Sequence, residues 1–449
     1  MPLTIIIKDL IIMITVSRPL VSSFPLTFHK NVLFRSAYWN QSLCNVVQNQ
    51  RQSHKTKDTL SSHKCTRQPI RLYSNTVLSD LNMGPFVDLS FKSTNNETMV
   101  QDSTSTISFP IYYNDVYEVP LPPKHRFPMA KYRKVRERIQ SKLSSQNQTK
   151  VHGSFRISPL VSVQDLALTH CEEYIARYIK GQQTQDEIRN VGFPWSIEGV
   201  ARSLSSTGGT VAAAKAVCDA KRLSLLPMES DSVLKQGPFW SAHVAGGTHH
   251  AFHDRGEGFC VFSDIAVAAN VILRDYPDIV KRILIVDLDV HQGNGNAVLF
   301  QGRNDVITFS MHCSSNYFSK KEESDLDIEL PCECDDETYL STLHYWLNRI
   351  YKDSNGSNSE NKFDLIFYQA GVDIIQSDRL GRMNISPEGV SRRNKMVYEW
   401  ATKMNVPFVI TMGGGYPKEN YWEPILEAHA AVYIEAFEHL SFNHDCNPF

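Results

Sequence analysis

Several absences narrow the chemistry first. There is no C-x-x-C pair, and the nine cysteines (Cys44, Cys65, Cys171, Cys218, Cys260, Cys313, Cys332, Cys334 and Cys446) are odd in number and scattered. That argues for a reducing compartment and against both a disulfide framework and a cysteine-type zinc site. Net charge is nearly absent as well: 46 Lys/Arg against 48 Asp/Glu leave a formal charge of -2. Nothing global therefore draws the chain to nucleic acid or to a membrane surface, and direct nucleic-acid binding is not expected. Long apolar runs are missing too. The stretch "LTIIIKDLIIMITV" is interrupted by Lys8 and Asp9 and falls short of the roughly 18 residues of a transmembrane helix. No internal repeat is evident.

What is present is a globular composition, 42% hydrophobic over 449 residues, enough for one large α/β domain with an extension or for two modest domains. Residues 1–76 stand apart, with ten Lys/Arg set against only Asp9 and Asp58 and with many Ser and Gln. Basic, Ser-containing and acid-poor is the composition of an organellar transit peptide, mitochondrial or plastid, and Arg71–Ser74 has the form of a processing site. The other reading of this segment is a disordered extension or a mistaken start site, with the nucleus or cytoplasm as the compartment. Residues 77–108, including "KSTNNETMVQDSTSTIS", read as a polar linker. A patterned domain follows over 109–440, with a short tail at 441–449.

Within that domain, apolar β-branched runs ("RILIVDLDV", "DVITFSMH", "FDLIFYQAGVD", "VPFVITMGGG") alternate with helical stretches. Near-continuous apolar runs mark strands buried on both faces, as in a parallel sheet. Ser263 reads as an N-cap, and Ser386 as another with Pro387 at the first helical position. The expectation is an α/β fold with a doubly wound, mostly parallel sheet flanked by helices.

In such sheets ligands gather beyond the carboxyl ends of the strands. Four strand ends here carry polar groups: Asp287, Asp289 and His291 after "ILIV", Asp373 after "LIFYQAG", Tyr416 after "FVITMGGG", and His249 with His250 after "FWSAHVAGGT". Alternation along an extended segment sends Asp289 and His291 to one side, and Asp373 adds a second carboxylate. Two carboxylates and one imidazole with open positions suit a catalytic metal, zinc foremost, though Fe(II), Mn(II) and Co(II) take the same ligands. Two adjacent imidazoles can divide acid and base work if their environments differ, with Asp287 and Asn294 the candidate partners. Tyr416, in a glycine loop, could donate to an oxyanion. Together these groups describe metal-assisted amide hydrolysis.

The ordered motifs "GGTHHAFHDRGEGFC", "VDLDVHQGNG", "AGVDIIQSDRLG" and "GGGYPKE" resemble the zinc-dependent histone deacetylases, over roughly Pro110 to Leu440. Asn294 in place of a second aspartate, the "QGNG" turn and "SDRLGRMNISPEGV" are most similar to the class IV branch. The resemblance implies an arginase-like fold, one zinc ion on Asp289, His291 and Asp373, and acyl-lysine proteins as substrates, acetylated or carrying long fatty acyl groups. It makes His249, backed by Asp287, and His250, the principal base and acid, partners of Tyr416. Gly258, Phe259 and Gly414 would line the substrate tunnel, with Phe318 or Tyr317 as the opposite wall. A structural potassium ion is implied at Asp287 and Ser310 and at main-chain carbonyls around Asp289, His291 and Met311.

Three other readings compete. A two-metal ureohydrolase needs an acid where Gly293 stands. An acetylpolyamine amidohydrolase would use the same site. A non-catalytic scaffold would have let these groups decay, and none is missing. His253 reads as a polar loop residue, Cys260 as a small core residue, the Cys332/Cys334 pair as structural, and Lys320 and Lys321 as part of a solvated rim loop.

Overall fold

A computed structural model describes residues 107–145, 151–226, 239–317, 319–356 and 361–441. The transit-peptide reading, its Arg71–Ser74 processing site, the linker up to residue 106, Phe318 and residues 442–449 lie outside the described residues. Among the described residues eight strands are formed: β1 (Ile107–Tyr113), β2 (Val151–Ile157), β3 (Trp240–His243), β4 (Ile283–Asp287), β5 (Val306–Cys313), β6 (Leu326–Leu330), β7 (Leu365–Gln369) and β8 (Phe408–Thr411). They make one sheet in the order β2-β1-β3-β8-β7-β4-β5-β6, parallel at every pairing. The helices are α1 (Lys131–Ser145), α2 (Val163–Leu166), α3 (Glu172–Ile179), α4 (Gln185–Val191), α5 (Ile197–Ser224), α6 (Asp264–Asp275), α7 (Asn294–Phe300), α8 (Asp336–Ser354), α9 (Pro387–Met404) and α10 (Glu423–Ser441). The doubly wound parallel fold expected from the apolar runs is what forms.

Side-chain alternation distributes each central strand between two cores. Leu284 and Val286 of β4, Ile366 and Tyr368 of β7, and Phe408 and Ile410 of β8 pack with Val135 of α1, Leu343 of α8, Val397 of α9 and Tyr433 of α10. Ile283 and Ile285, Leu365 and Phe367, and Val409 pack on the other face with Tyr174 of α3, Leu204 of α5 and Val271 of α6. Each fully buried aliphatic or aromatic side chain contributes about 1.5–3 kcal/mol relative to exposure. This double burial is why those strands read as continuous apolar runs.

The helix starts follow capping chemistry. Ser263 accepts the Ala266 N–H at 3.4 Å, and Ser386 accepts the Gly389 N–H at 2.9 Å with Pro387 at the first position. In α5 the Gly208–Gly209 pair lets the helix lie close against its neighbours. A Cβ on Gly208 would collide with the Pro159 carbonyl, and one on Gly209 with Ser158 and His243.

Beyond the central runs the structure adds what patterning did not show. Strands β2 and β6 are the two sheet edges, and both are only partly buried, so "VHGSFRI" and "LDIEL" carry no continuous apolar run. Strand β1 also takes in Ile107 and Ser108, which composition placed in the linker.

The topology sets the place for chemistry. From β4 the chain crosses to β5 on one side, whereas β7 lies on the other side of β4 and leads on to β8. The carboxyl ends of β4 and β7 therefore flank the point where strand order reverses, where a crevice opens in folds of this kind.

Candidate active site

Asp287 is the last residue of β4 and lies in register with Ser310 of β5 and Gln369 of β7. Leu288 and Val290 are fully buried in the apolar core, and Asp289 and His291 alternate with them. Asp373 follows β7. One donor atom from each of Asp289, His291 and Asp373 lies within 4.8 Å of the others. His291 Nδ1 is 3.2 Å from Asp289 Oδ1 and 3.2 Å from Asp373 Oδ2.

The backbone fixes both carboxylates. Asp289 Oδ1 accepts from His291 N at 3.0 Å, Asp289 Oδ2 from Gly414 N at 2.7 Å, and Asp373 Oδ1 from Val290 N at 3.0 Å. Asp373 Oδ2 is buried and has no hydrogen-bond partner among the described residues. Glycine is required around them, because a Cβ at Gly371 or Gly414 would run into these carboxylates.

Such a cluster needs positive charge. Burial raises the Asp373 pKa, and the Asp289 carboxylate raises it further. For Asp289, burial opposes ionisation, and the His249 and His291 charges outweigh it. Burial likewise opposes a charged His291, yet the nearby Asp289 and Asp373 carboxylates push it up to about 10. The donor set, the orphaned oxygen and this demand for a cation all fit a divalent metal ion bound by two carboxylates and one imidazole.

The adjacent histidines have different partners. His249 Nδ1 lies 2.7 Å from Asp287 Oδ2, and Asp287 Oδ1 accepts from Asp289 N at 3.1 Å. His250 Nδ1 lies 2.7 Å from Asn294 Oδ1, so it carries the proton and leaves Nε2 with a lone pair. The two rings are 4.0 Å apart. Burial disfavours charge on His249, but the Asp287 and Asp289 carboxylates prevail and raise its pKa. Burial, then the neighbouring His249 and His291 charges, hold His250 well below the ordinary range. One ring is thus disposed to be charged and the other neutral, which is the division acid–base work requires.

Tyr416 is positioned through its backbone, whose N–H donates to Asp378 Oδ2 at 2.6 Å. Burial and the Asp373 and Asp289 carboxylates keep its phenol protonated. Its ring lies 6.1 Å from that of Phe259. Gly258 and Phe259 occupy a tight turn with φ of +56° and +67°. Tyr317 stacks on His250 at 4.6 Å between centroids and sits 6.2 Å from His291.

Ser310 Oγ is near Gly293 N and His312 Nδ1, at 3.4 and 3.0 Å. Met311 is fully buried in β5. A Cβ on Gly293 would stand 2.5 Å from Asp287 Oδ2, so an acid there could not be accommodated without displacing the His249–Asp287 pair.

Other residues were not legible from the motifs. Asp264 organises the histidine loop by accepting from Gly247 N, Thr248 N and Thr248 Oγ1 at 2.7–3.0 Å and from Thr210 Oγ1 at 2.5 Å. From sequence it reads merely as an acid in the first turn of α6. Lys131 is buried, donates to the Gly415 carbonyl at 2.8 Å and has its pKa lowered by burial to about 8. Its separation from that carbonyl, 284 positions, hides the contact. His253 is exposed in its loop, with Nδ1 2.6 Å from the Thr169 carbonyl. Cys260 is buried and its thiol pKa raised, chiefly by burial. Cys332 approaches Cys313, with the sulfurs 3.1 Å apart. Lys320 and Lys321 lie in the loop before β6.

Residues 125–439 match the family model of the histone deacetylase domain. An uncharacterized protein of Picosynechococcus sp. is 36% identical over 323 residues, 70% of this chain and 93% of that protein. Histone deacetylase 2 of Arabidopsis thaliana is 30% identical over 205 residues, 45% of this chain and 48% of that one. The acetoin utilization protein AcuC of Staphylococcus aureus is 26% identical over 222 residues, 46% of this chain and 54% of that one. With its parallel sheet, its convergent strand-end residues and a domain match over most of its length, the chain belongs to the histone deacetylase domain family.

Proposed function

We propose that the protein removes acyl groups from lysine side chains of proteins by hydrolysis, with one zinc ion held by Asp289, His291 and Asp373. The carrying observation is the pair of neighbouring imidazoles with different partners, Asp287 for His249 and Asn294 for His250, each at 2.7 Å. Zinc bound there would polarise the acyl carbonyl and ease deprotonation of water. His250, neutral with Nε2 free, takes the proton of the attacking water and returns it to the leaving amine. His249, charged and paired with Asp287, stabilises negative charge developing beside it. Tyr416 donates its phenolic proton in a hydrogen bond to the oxyanion of the tetrahedral intermediate.

Asn294 behind His250 and the "QGNG" turn support placement in the class IV branch. A potassium ion is proposed at Asp287 and Ser310, which face each other in adjacent strands. The N-terminal composition supports an organellar destination, which an intact Met1 in protein from its native cells would contradict.

The substrate is tested with the full, zinc-loaded chain on matched acetyl-lysine and myristoyl-lysine peptides, with and without a chelator. Chelator-sensitive cleavage of either is the expected result. Cleavage of acetylpolyamines with neither peptide touched would replace this reading with small-molecule amide hydrolysis. Longer acyl chains are the finer alternative to acetyl. What favours them is a cavity beside Phe259 whose walls are largely apolar, with Phe127, Phe193, Trp195 and Phe262 alongside the polar Arg202, Ser203 and Thr248.

A further inference from the structure

Glu257 is a carboxylate only 9% exposed, yet it has no cationic partner among the described residues. Burying an unpaired carboxylate is costly unless hydrogen bonds replace its water. The bond it makes is with Tyr317, whose hydroxyl donates to Oε1 at 2.8 Å across 60 positions of sequence.

Each end of this bond belongs to a separately anchored segment. Glu257 opens the turn that carries Gly258 and Phe259, closed by Glu257 N to the Cys260 carbonyl at 3.0 Å and Cys260 N to the Glu257 carbonyl at 2.9 Å. The turn is held against α4 by Gly258 N to the Asn190 carbonyl and Phe259 N to the Val191 carbonyl, at 3.0 and 2.8 Å. The Tyr317 segment is held on the other side, by Asn316 Nδ2 to the Leu380 carbonyl at 3.0 Å. Phe259 stands next to Tyr416, and Tyr317 lies over His250 and beside His291. Two rings that stand over the candidate site, Phe259 next to Tyr416 and Tyr317 over His250, are thus carried on segments joined by a side-chain hydrogen bond.

We propose that the Glu257–Tyr317 hydrogen bond ties the two walls of the substrate tunnel and sets its aperture, making Glu257 a positioning residue for the acyl-lysine stem. This rests on the acyl-lysine reading. The tie holds Tyr317 against His250, so the apolar stem of the substrate meets a preformed slot instead of closing one on binding. Pre-organisation of this kind improves binding of the ground state and transition state alike, and it appears in KM. The carboxylate gives no proton to the reaction.

The test is a double-mutant cycle on the full zinc-loaded chain with Glu257→Ala, Tyr317→Phe and the pair together, plus Glu257→Gln, which keeps an acceptor oxygen. One arm is urea unfolding, which does not depend on any activity. Midpoint losses that are less than additive in the double variant show that the bond forms, and additive losses overturn the tie. The second arm is steady-state kinetics on the best acyl-lysine peptide. We expect KM to rise about fivefold to tenfold in each single variant and no further in the double, kcat to change less than about twofold, and Glu257→Gln to stay near wild type. Unchanged KM, or a loss confined to kcat, would overturn the positioning role even where the unfolding arm shows coupling. A wild-type chain that unfolds cooperatively but cleaves and binds no acyl-lysine peptide would instead sink the acyl-lysine reading, leaving the tie to be judged on unfolding alone.

Discussion

The floor and the rim of the site are built differently. At the floor, the carboxylates of Asp289 and Asp373 are held by backbone N–H groups of Gly414, His291 and Val290. At the rim, the Phe259 turn and Tyr317 are linked by a side-chain hydrogen bond, from the Tyr317 hydroxyl to Glu257. Backbone donors cannot rotate away, so the floor keeps its geometry as long as the sheet is intact. The rim can shift when one side chain is changed. Substitutions at the floor should therefore abolish chemistry, whereas substitutions at the rim should retune it.

The largest effect is expected from Gly414→Ala and Asp289→Asn. The first pushes a methyl group into Asp373 and toward Asp289 Oδ2, 2.8 Å from the new carbon, and the second removes a charged ligand. Both should lose bound metal, measured by elemental analysis, and at least ~10³-fold in kcat/KM, since metal polarisation supplies several kcal/mol. Retention of metal by either variant would break the distinction between floor and rim.

Next come the two imidazoles. Replacing His250 by Ala should cost about 10²–10⁴-fold in kcat, the usual worth of a general base, and His249→Ala less, with metal retained in both. Equal losses would erase the division of labour. The lowered pKa of His250 keeps its base form populated below the ordinary histidine range, so the acid limb of the kcat/KM profile should lie below pH 6.5. An acid limb above that value would contradict the assignment. The rim variants at Glu257 and Tyr317 should then have the modest KM effects already given.

The last prediction concerns acid stability. Burial depresses His170 and His312 to about 4 and His243 to about 3. Their unfolded value is about 6.5, so the unfolded chain binds more protons between the two values. The stability from keeping them neutral is fully present above about pH 6.5 and is lost as the pH falls toward 4. Asp378, raised by burial to about 7, acts in the opposite sense, so the histidine contribution is read as the pH 7 to pH 5 loss of urea midpoint that disappears in a His312→Gln variant, and an equal loss in that variant would contradict it.

The same contrast explains what was legible. Floor residues follow apolar strands at fixed offsets, so Asp287, Asp289, His291, Asp373 and the histidine pair stand out in the chain itself. Their convergence is then a consequence of a parallel sheet, in which all carboxyl ends lie on one edge. The polar edge strands β2 and β6 lack the double burial that gives strands their signature. Lys131, Asp264 and the Glu257–Tyr317 bond depend on contacts between distant segments, and no local pattern encodes those. Asp264 is the instructive case, because an acid in a first helical turn is common for reasons of helix electrostatics alone, which masks its hold on the histidine loop.

The most direct single measurement is the metal content and acyl-lysine hydrolysis of the full chain, assayed before and after chelation and after zinc is restored. One divalent ion per chain, with cleavage lost on chelation and recovered with zinc, is the expected result. A folded chain carrying two ions, or one ion and no hydrolysis of any acyl-lysine peptide, would contradict the proposed hydrolase.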